Sequence, residues 1–437
     1  MILLHYLSHY HIILPSLILI YFSSHVVSAP LRIPNLNLRQ EQEEERQSHN
    51  DNNILKVYVL AGQSNMEGHG EVSTMDKTTP MNGTLLYQLL DPRTRYEFSK
   101  LWNASRWSSW PNIQVWFNEA GKEMGVNGSK VPGVNNVDFS AGDLTVGFGT
   151  GGPSGNENNF FGPELGFGVG LNTSSEEKIL IIKTAWGGKS LAVDFRPPSS
   201  TFDEDPYCQL PDCNPYKVGH FYKVMLYNVR QILNNLPDVF PQFSTLTPVL
   251  SGFGWFQGWN DGCDLNATAA YEQNLVNLIK DLRREWDDPY LPVSIAVSGF
   301  GGFNGVQRQP PNCFDDTVDK LHCDCGVADH GCRRLNIIES QFRAGDMSRN
   351  RDQLKCCVVA SETRGFWRDA IYSPNANQGY HFNHNAETHF LIGKALAEGM
   401  ILATIAQKKE KVLSLQTTRI QTHPTLGLKR WFNQREN

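Results

Sequence analysis

The sequence predicts an α/β fold: a three-layer α/β/α sandwich around a central, mostly parallel five-stranded sheet. Three observations carry that expectation. Short apolar, β-branched runs recur at 57–60, 179–182, 248–250, 293–297 and 357–360, as strands buried on both faces require. Segments with helical spacing follow or separate them, at 218–233, 271–286, 335–342 and 386–406. Their alternation suits right-handed crossovers in one open sheet.

Taken in order, the chain opens with a candidate secretory signal over residues 1–29. Its apolar run from Ile12 to Phe22 is short for a membrane span and ends in the small residues Val27-Ser28-Ala29. The run lacks Lys or Arg before it, and an uncleaved anchor is the alternative reading. Residues 30–54 carry Gln40-Glu41-Gln42-Glu43-Glu44-Glu45 and few large apolar groups, so a disordered polar tether is expected there. One domain with long loop insertions is expected over 55–407. The run 121–170 is rich in Gly, Asn and Pro and too long for a simple connection. Residues 408–437 form a C-terminal tail without clear periodicity.

Composition narrows the partners. The 437 residues are 40% apolar and 19% charged, with net charge −6, which fits a globular protein. No basic cluster stands out, so no nucleic-acid partner is expected. No stable membrane span is expected either. The nine cysteines suit an oxidising compartment. Cys208 and Cys213 are close in a Pro-rich loop, Cys313, Cys323, Cys325 and Cys332 crowd another, and Cys263 stands apart. Disulfide staples are the first reading. A zinc site using His322, His330 and the second group is the competitor, although the spacing matches no zinc-finger pattern. The sequons at Asn82, Asn103, Asn127, Asn172 and Asn266 are compatible with glycosylation. No phosphate loop, metal-ligand helix or dinucleotide fingerprint occurs, so neither cofactor nor metal is expected.

The strongest local signal is the run Val57 to Gly68. A buried strand ends in Ala61-Gly62-Gln63-Ser64-Asn65-Met66-Glu67-Gly68, and in open α/β sheets ligands bind beyond the carboxyl ends of strands. A serine there can face a cleft, and its N–H can face a developing oxyanion. The plainer reading is a serine that N-caps a helix.

Gly62-Gln63-Ser64-Asn65-Met66 resembles the first block of the sialate O-acetylesterase-like branch of the SGNH hydrolases, which includes the family 6 carbohydrate esterases. Further resemblances follow in order. They are Phe161-Gly162-Pro163-Glu164, then Thr184-Ala185-Trp186-Gly187-Gly188-Lys189, then Trp255-Phe256-Gln257-Gly258, then Gly379-Tyr380-His381-Phe382-Asn383. They span roughly residues 55–405.

The resemblance implies a secreted serine esterase that removes O-acetyl groups from a carbohydrate. Ser64 would be the nucleophile and His381 the base. The N–H groups of Ser64 and of Gly187 or Gly188, with the Gln257 side chain, would hold the oxyanion. His381 is preferred over His384 and His389 because it precedes the last helix, in a loop. The orienting acid departs from the family. Many SGNH enzymes carry Asp three residues before the histidine, where this chain has Gln378. Others use a Glu where this chain has Trp259. Asp261 is the first choice instead, with Glu362 and Asp369 behind it, and a Ser-His dyad aided by a backbone carbonyl is the remaining option. The substrate could be a sialic acid or an acetylated polysaccharide. A catalytically silent carbohydrate-binding protein of the same fold is the reading from another class. Trp102, Trp107, Trp110 and Trp116 could stack on sugars or simply pack the core.

Overall fold

The computed structural model describes residues 53–73, 81–118, 140–150, 159–171, 177–201, 218–299, 301–305 and 331–422. The signal segment, nearly all of the tether, Cys208, Cys213, Cys313, Cys323, Cys325, the Cys332 side chain and the sequons at Asn127 and Asn172 lie outside them.

Nine strands matter here: β1 (Ile54–Gly62), β2 (Gly70–Glu71), β3 (Trp110–Phe117), β4 (Ser140–Leu144), β5 (Phe160–Phe161), β6 (Lys178–Ala185), β7 (Thr247–Phe256), β8 (Val293–Ala296) and β9 (Val358–Ser361). Seven of them form the main sheet, in the order β9-β8-β7-β1-β6-β3-β4. The five expected strands are contiguous in it and parallel. The expectation of five is corrected by β3 and β4, which extend the sheet past β6. β3 is parallel to β6, and β4 closes the edge antiparallel. β2 and β5 pair separately, with Gly70 opposite Phe161 and Glu71 opposite Phe160.

Helices cover both faces: α1 (Ser64–Glu67), α2 (Pro163–Leu171), α3 (His220–Asn234), α4 (Leu265–Glu285), α5 (Gly331–Gly345) and α6 (Ala386–Thr422). The strand period of two sorts the side chains. Val57, Val59 and Ala61 join Leu180 and Ile182 in the core under α3, α4 and α5. Tyr58 and Leu60 join Ile179 and Ile181 in the other core, under α2 and α6. The apolar stripe Leu275, Leu278, Ile279 and Leu282 of α4 faces the first of these, as its spacing predicts.

Helices α2 and α6 cross backbone to backbone. A Cβ on Gly166 would stand 2.0 Å from the Phe390 carbonyl oxygen, and one on Gly393 would stand 2.1 Å from that of Pro163. Only glycine permits such an approach. Helix α6 runs on to Thr422, so the C-terminal tail, which shows no clear periodicity in sequence, is helical over its first half. By length and composition the stretch Ala386–Ser414 could cross a membrane, yet over half of its apolar window is buried, as a core helix requires.

The four early tryptophans do not form one platform. Trp116 is fully buried in the core, Trp107 and Trp110 pack half-buried against the second core, and Trp102 meets Trp107 edge-on at 5.0 Å.

Candidate active site

The register of the central strands assembles the site. Gly62 of β1 lies opposite Ala185 of β6 on one side and Phe256 of β7 on the other. The three strands therefore end together, and the residues after them, Ser64, Gly187 and Gln257, emerge at one sheet edge. Gly62 makes this close junction possible, since a Cβ there would lie 2.0 Å from the Phe256 carbonyl oxygen.

Ser64 is buried and is the first residue of α1. Gln63 occupies the cap position and no side chain caps the helix, so the plain N-cap reading of Ser64 does not hold. As the first helical residue, Ser64 has an N–H without an intrahelical acceptor. Gly187 is exposed and stands beside it: a Cβ built on Gly187 would lie 3.8 Å from the Cβ of Ser64. Gly188 has a φ of 70° and no neighbour that close, so Gly187 is the glycine at the serine.

Amides on either side of Ser64 pin the neighbouring loops. Gln63 donates to Asn260 Oδ1 at 2.8 Å and accepts from the N–H of Gly258 and of Asn260. Asn65 donates to the Tyr380 carbonyl at 2.9 Å, which ties the serine turn to the residue before His381. Below, the buried Lys183 bonds the Glu67 carbonyl, the Phe148 carbonyl and Glu164 Oε2. Glu164 of the Gly-Pro-Glu block thus belongs to an ion pair under α1, and burial pushes its pKa up. A cleft opens between the Gln63, Gln257 and Tyr380 turns, with Trp259 and Tyr380 on its wall.

Two expected roles are corrected. Asp261 is fully buried, and its carboxylate accepts from the N–H groups of Leu191 and Ala192, each at 2.8 Å, and from Gln257 Nε2 at 2.6 Å. Burial pushes its pKa up to about 6 against those three bonds. It clamps the segment after Gly187 and Gly188 and makes no bond to His381. Gln257 spends its amide hydrogens on Asp261 and on the Lys189 carbonyl at 3.1 Å, so it is a brace and not an oxyanion donor. Glu362 is held by Arg364 and Asp369 by the Trp367 indole, so neither of the reserve acids reaches His381.

The group on His381 is Gln378. Its Oε1 lies 2.9 Å from His381 Nδ1 and 2.8 Å from His384 Nε2. Sequence reading set Gln378 aside for want of a carboxylate, but an amide carbonyl also accepts from an imidazole N–H. The backbone explains how two histidines reach one oxygen. Phe382, Asn383 and His384 all have positive φ, at 52°, 53° and 60°. A left-handed turn costs roughly 1–2 kcal/mol per residue outside glycine. Phe382 anchors this one, buried against Phe256 and Trp367.

His69 and Glu71, which sequence reading missed, complete the surroundings. The His69 ring stacks on His381 with centroids 3.6 Å apart and planes 11° apart. Glu71 Oε2 lies 3.7 Å from His384 Nδ1. Their signal was their position, just after the serine block in Gly68-His69-Gly70-Glu71. Burial, with the neighbouring histidines, pushes the His69 pKa far down. Burial, then the charge of His384, lowers that of His381 to about 4. His389 is fully buried beneath, 3.5 Å from the His381 carbonyl, and burial lowers its pKa to about 3. No hydrogen bond joins Ser64 to His381 among the described residues, a contact that often tightens only with substrate in place.

His69, His381 and His384 bring ligand atoms within 4.8 Å of one another, close enough to test as a metal site. They fit one poorly. In-plane lone pairs of His69 and His381, stacked 11° apart, run side by side and do not converge, and Gln378 already occupies a nitrogen on both His381 and His384.

Comparisons with known proteins agree with the family resemblance. Residues 144–310 match the family described as carbohydrate esterase, sialic acid-specific acetylesterase, a stretch that holds the Gly-Pro-Glu, Gly-Gly and Trp-x-Gln-Gly blocks. No curated protein matches the chain. Among solved structures, a protein from Arabidopsis thaliana is 14% identical, with 80% of this chain and 98% of that one covered and a TM-score of 0.42. A carbohydrate acetylesterase from Xanthomonas citri is also 14% identical, with 79% of this chain and 56% of that one covered and a TM-score of 0.35. At those scores neither likeness bears on function. Five blocks in order on a parallel α/β/α sheet, and a family match across the middle three, support a carbohydrate O-acetylesterase similar to the sialate O-acetylesterase-like SGNH hydrolases.

Proposed function

We propose that the chain removes O-acetyl groups from a carbohydrate through an acetyl-enzyme on Ser64, with His381 as general base. The observation that carries this reading is the junction at the sheet edge. There Gly187 stands beside Ser64, and Asn65 fastens the same turn to Tyr380, next to His381.

The chemistry follows from the groups present. Ser64 Oγ attacks the acetyl carbonyl and its proton passes to His381 Nε2. The N–H groups of Ser64 and Gly187 receive the oxyanion; one such donor is worth about 3 kcal/mol in the transition state. Gln378 accepts from Nδ1–H and keeps the other ring nitrogen free for the serine. On collapse of the tetrahedral adduct the sugar hydroxyl leaves with the proton from His381. Water, activated by the same imidazole, then releases acetate. Acetate release from acetylated xylan and from O-acetylated sialosides tests the activity and chooses between the substrates. No release from any acetylated carbohydrate would leave the silent binding protein as the better account.

The same reading has the chain exported. The apolar run at 12–22 and the cysteine content support it, and Asn82, Asn103 and Asn266, three of the sequon asparagines, are exposed.

A further inference from the structure

We infer that His69 is a positioning residue for His381, holding the plane of its ring and setting a neutral aromatic face against the positive charge that forms there in catalysis. This rests on the proposed role of His381 as base.

The need comes from what His381 lacks. Among the described residues no carboxylate is bonded to it, since Asp261, Glu362 and Asp369 are held elsewhere. Its bond to Gln378 at 2.9 Å holds one nitrogen but brings no full negative charge. The His69 ring lies flat on it instead, with centroids 3.6 Å apart and planes 11° apart. His69 is itself anchored on both sides. Before it, the Gly68 carbonyl accepts from the Thr150 N–H at 2.8 Å, and after it, Gly70 pairs with Phe161. The Phe160 ring stands edge-on to it at 6.3 Å.

Such a stack suits two neutral rings poorly. Aromatic pairs prefer offset or edge-to-face contact with centroids about 4.5–7 Å apart, because two negative π faces repel. The contact becomes favourable once one ring is a cation, since the face of the other then meets positive charge. His381 changes in that sense as it takes the serine proton. The gain is therefore larger in the transition state than before it, and only such a gain accelerates the chemical step.

The proton also goes to the right ring. The titratable groups around His69 are His381, His389, His384 and Lys183, each positive when charged. Burial first, and then these groups, push the His69 pKa far below that of His381. His69 therefore stays neutral and serves as the face, and His381 is the ring that carries charge. Around His381 stand His69, His384 and His389, with Glu71 beyond His384.

The test separates the aromatic face from the bulk of the side chain. Hydrolysis of 4-nitrophenyl acetate by the full chain is measured for His69→Leu and His69→Phe. His69→Leu should lower kcat by about tenfold at unchanged KM, because the interaction lost is one made in the transition state. His69→Phe keeps the face and should stay within about threefold of the wild type. Equal losses in the two variants would mean that the fold or a ring nitrogen matters and the face does not. No loss in His69→Leu would mean that the stack does nothing. Both overturn the inference. A second readout does not depend on turnover. In the Ser64→Ala background His381 is titrated by imidazole NMR, and its midpoint should lie about one pH unit lower in His69→Leu than in His69→Phe. Equal midpoints are the contrary result. Full turnover by Ser64→Ala would remove the underlying catalytic reading instead, a distinct outcome.

Discussion

Gln257 Nε2 donates to Asp261 Oδ2 at 2.6 Å, in a place where neither side chain meets solvent. The residue expected to hold the oxyanion and the one expected to orient His381 are thereby spent on each other, and through Leu191 and Ala192 they hold the segment that follows Gly187. Asp261→Asn should therefore act on stability. An amide cannot accept from all three donors at once, and leaving one unsatisfied costs about 1–3 kcal/mol. The pH signature has a definite sign. The folded pKa, about 6, is above the usual value of 3.8, so this group's contribution is fully present below pH 3.8 and is lost as pH rises through 6. That is worth roughly 3 kcal/mol. Denaturant melts of the wild type and Asp261→Asn across that window should show the slope only in the wild type.

Removal of the nucleophile is the plainest check of the proposed chemistry. Ser64→Ala should abolish acetate release with the melting temperature nearly unchanged, since one hydroxyl is lost from a residue that caps nothing. Undiminished turnover would refute the acetyl-enzyme.

The base sets the acid limb of the activity profile. Burial and the charge of His384 lower the His381 pKa to about 4, so kcat/KM should hold from neutral pH downward and fall only as pH drops through about 4. Gln378→Glu brings a carboxylate to the ring and should move that limb upward, toward the ordinary histidine range. Rate profiles of the two proteins decide this. A limb that stays in place means that residue 378 does not face the base.

Lys183 and Glu164 are both fully buried and 3.0 Å apart. Lys183→Met leaves a buried carboxyl without its partner and should cost about 3–5 kcal/mol, read by chemical denaturation. Glu67 and Phe148 also lose the donor to their carbonyls, so the α1 turn should loosen and activity should fall with stability.

Export predicts covalent marks. Chains made in a secretory host should carry glycans at the exposed Asn82, Asn103 and Asn266, and the Cys208/Cys213 pair and the Cys313 to Cys332 group should be oxidised. Mass mapping without reductant answers both. Uniformly free thiols and bare sequons would count against it.

The most legible parts of the fold were β1 and β6, continuous apolar runs buried along almost their whole length, as central parallel strands require, whereas β7 was read from Pro248-Val249-Leu250, its more exposed half. β3 was hidden by its tryptophans, which read as an aromatic cluster. β4 was hidden because Ser140-Ala141-Gly142-Asp143-Leu144 has no strand pattern and is a strand only through pairing with β3. In the site, Ser64 and Gly187 were readable because a strand end and a glycine turn are local features. Asp261 was misplaced because closeness in the chain to Gln257 says nothing of which backbone N–H groups a carboxylate meets after folding. Gln378 was passed over because the search was for charge. The left-handed turn at Phe382 has no signal in the sequence, since nothing local favours it and only packing holds it.

Asn65 and Tyr380, the two ends of one hydrogen bond, are 315 positions apart in the chain. The serine leaves the ribosome early, and the histidine comes almost last, just ahead of the helix that must cross α2 glycine to glycine before its loop can settle. With Ser64 as the proposed nucleophile and His381 as its proposed base, a growing chain holds the one without the other for most of its synthesis, and copies that end before residue 381 are expected to release no acetate.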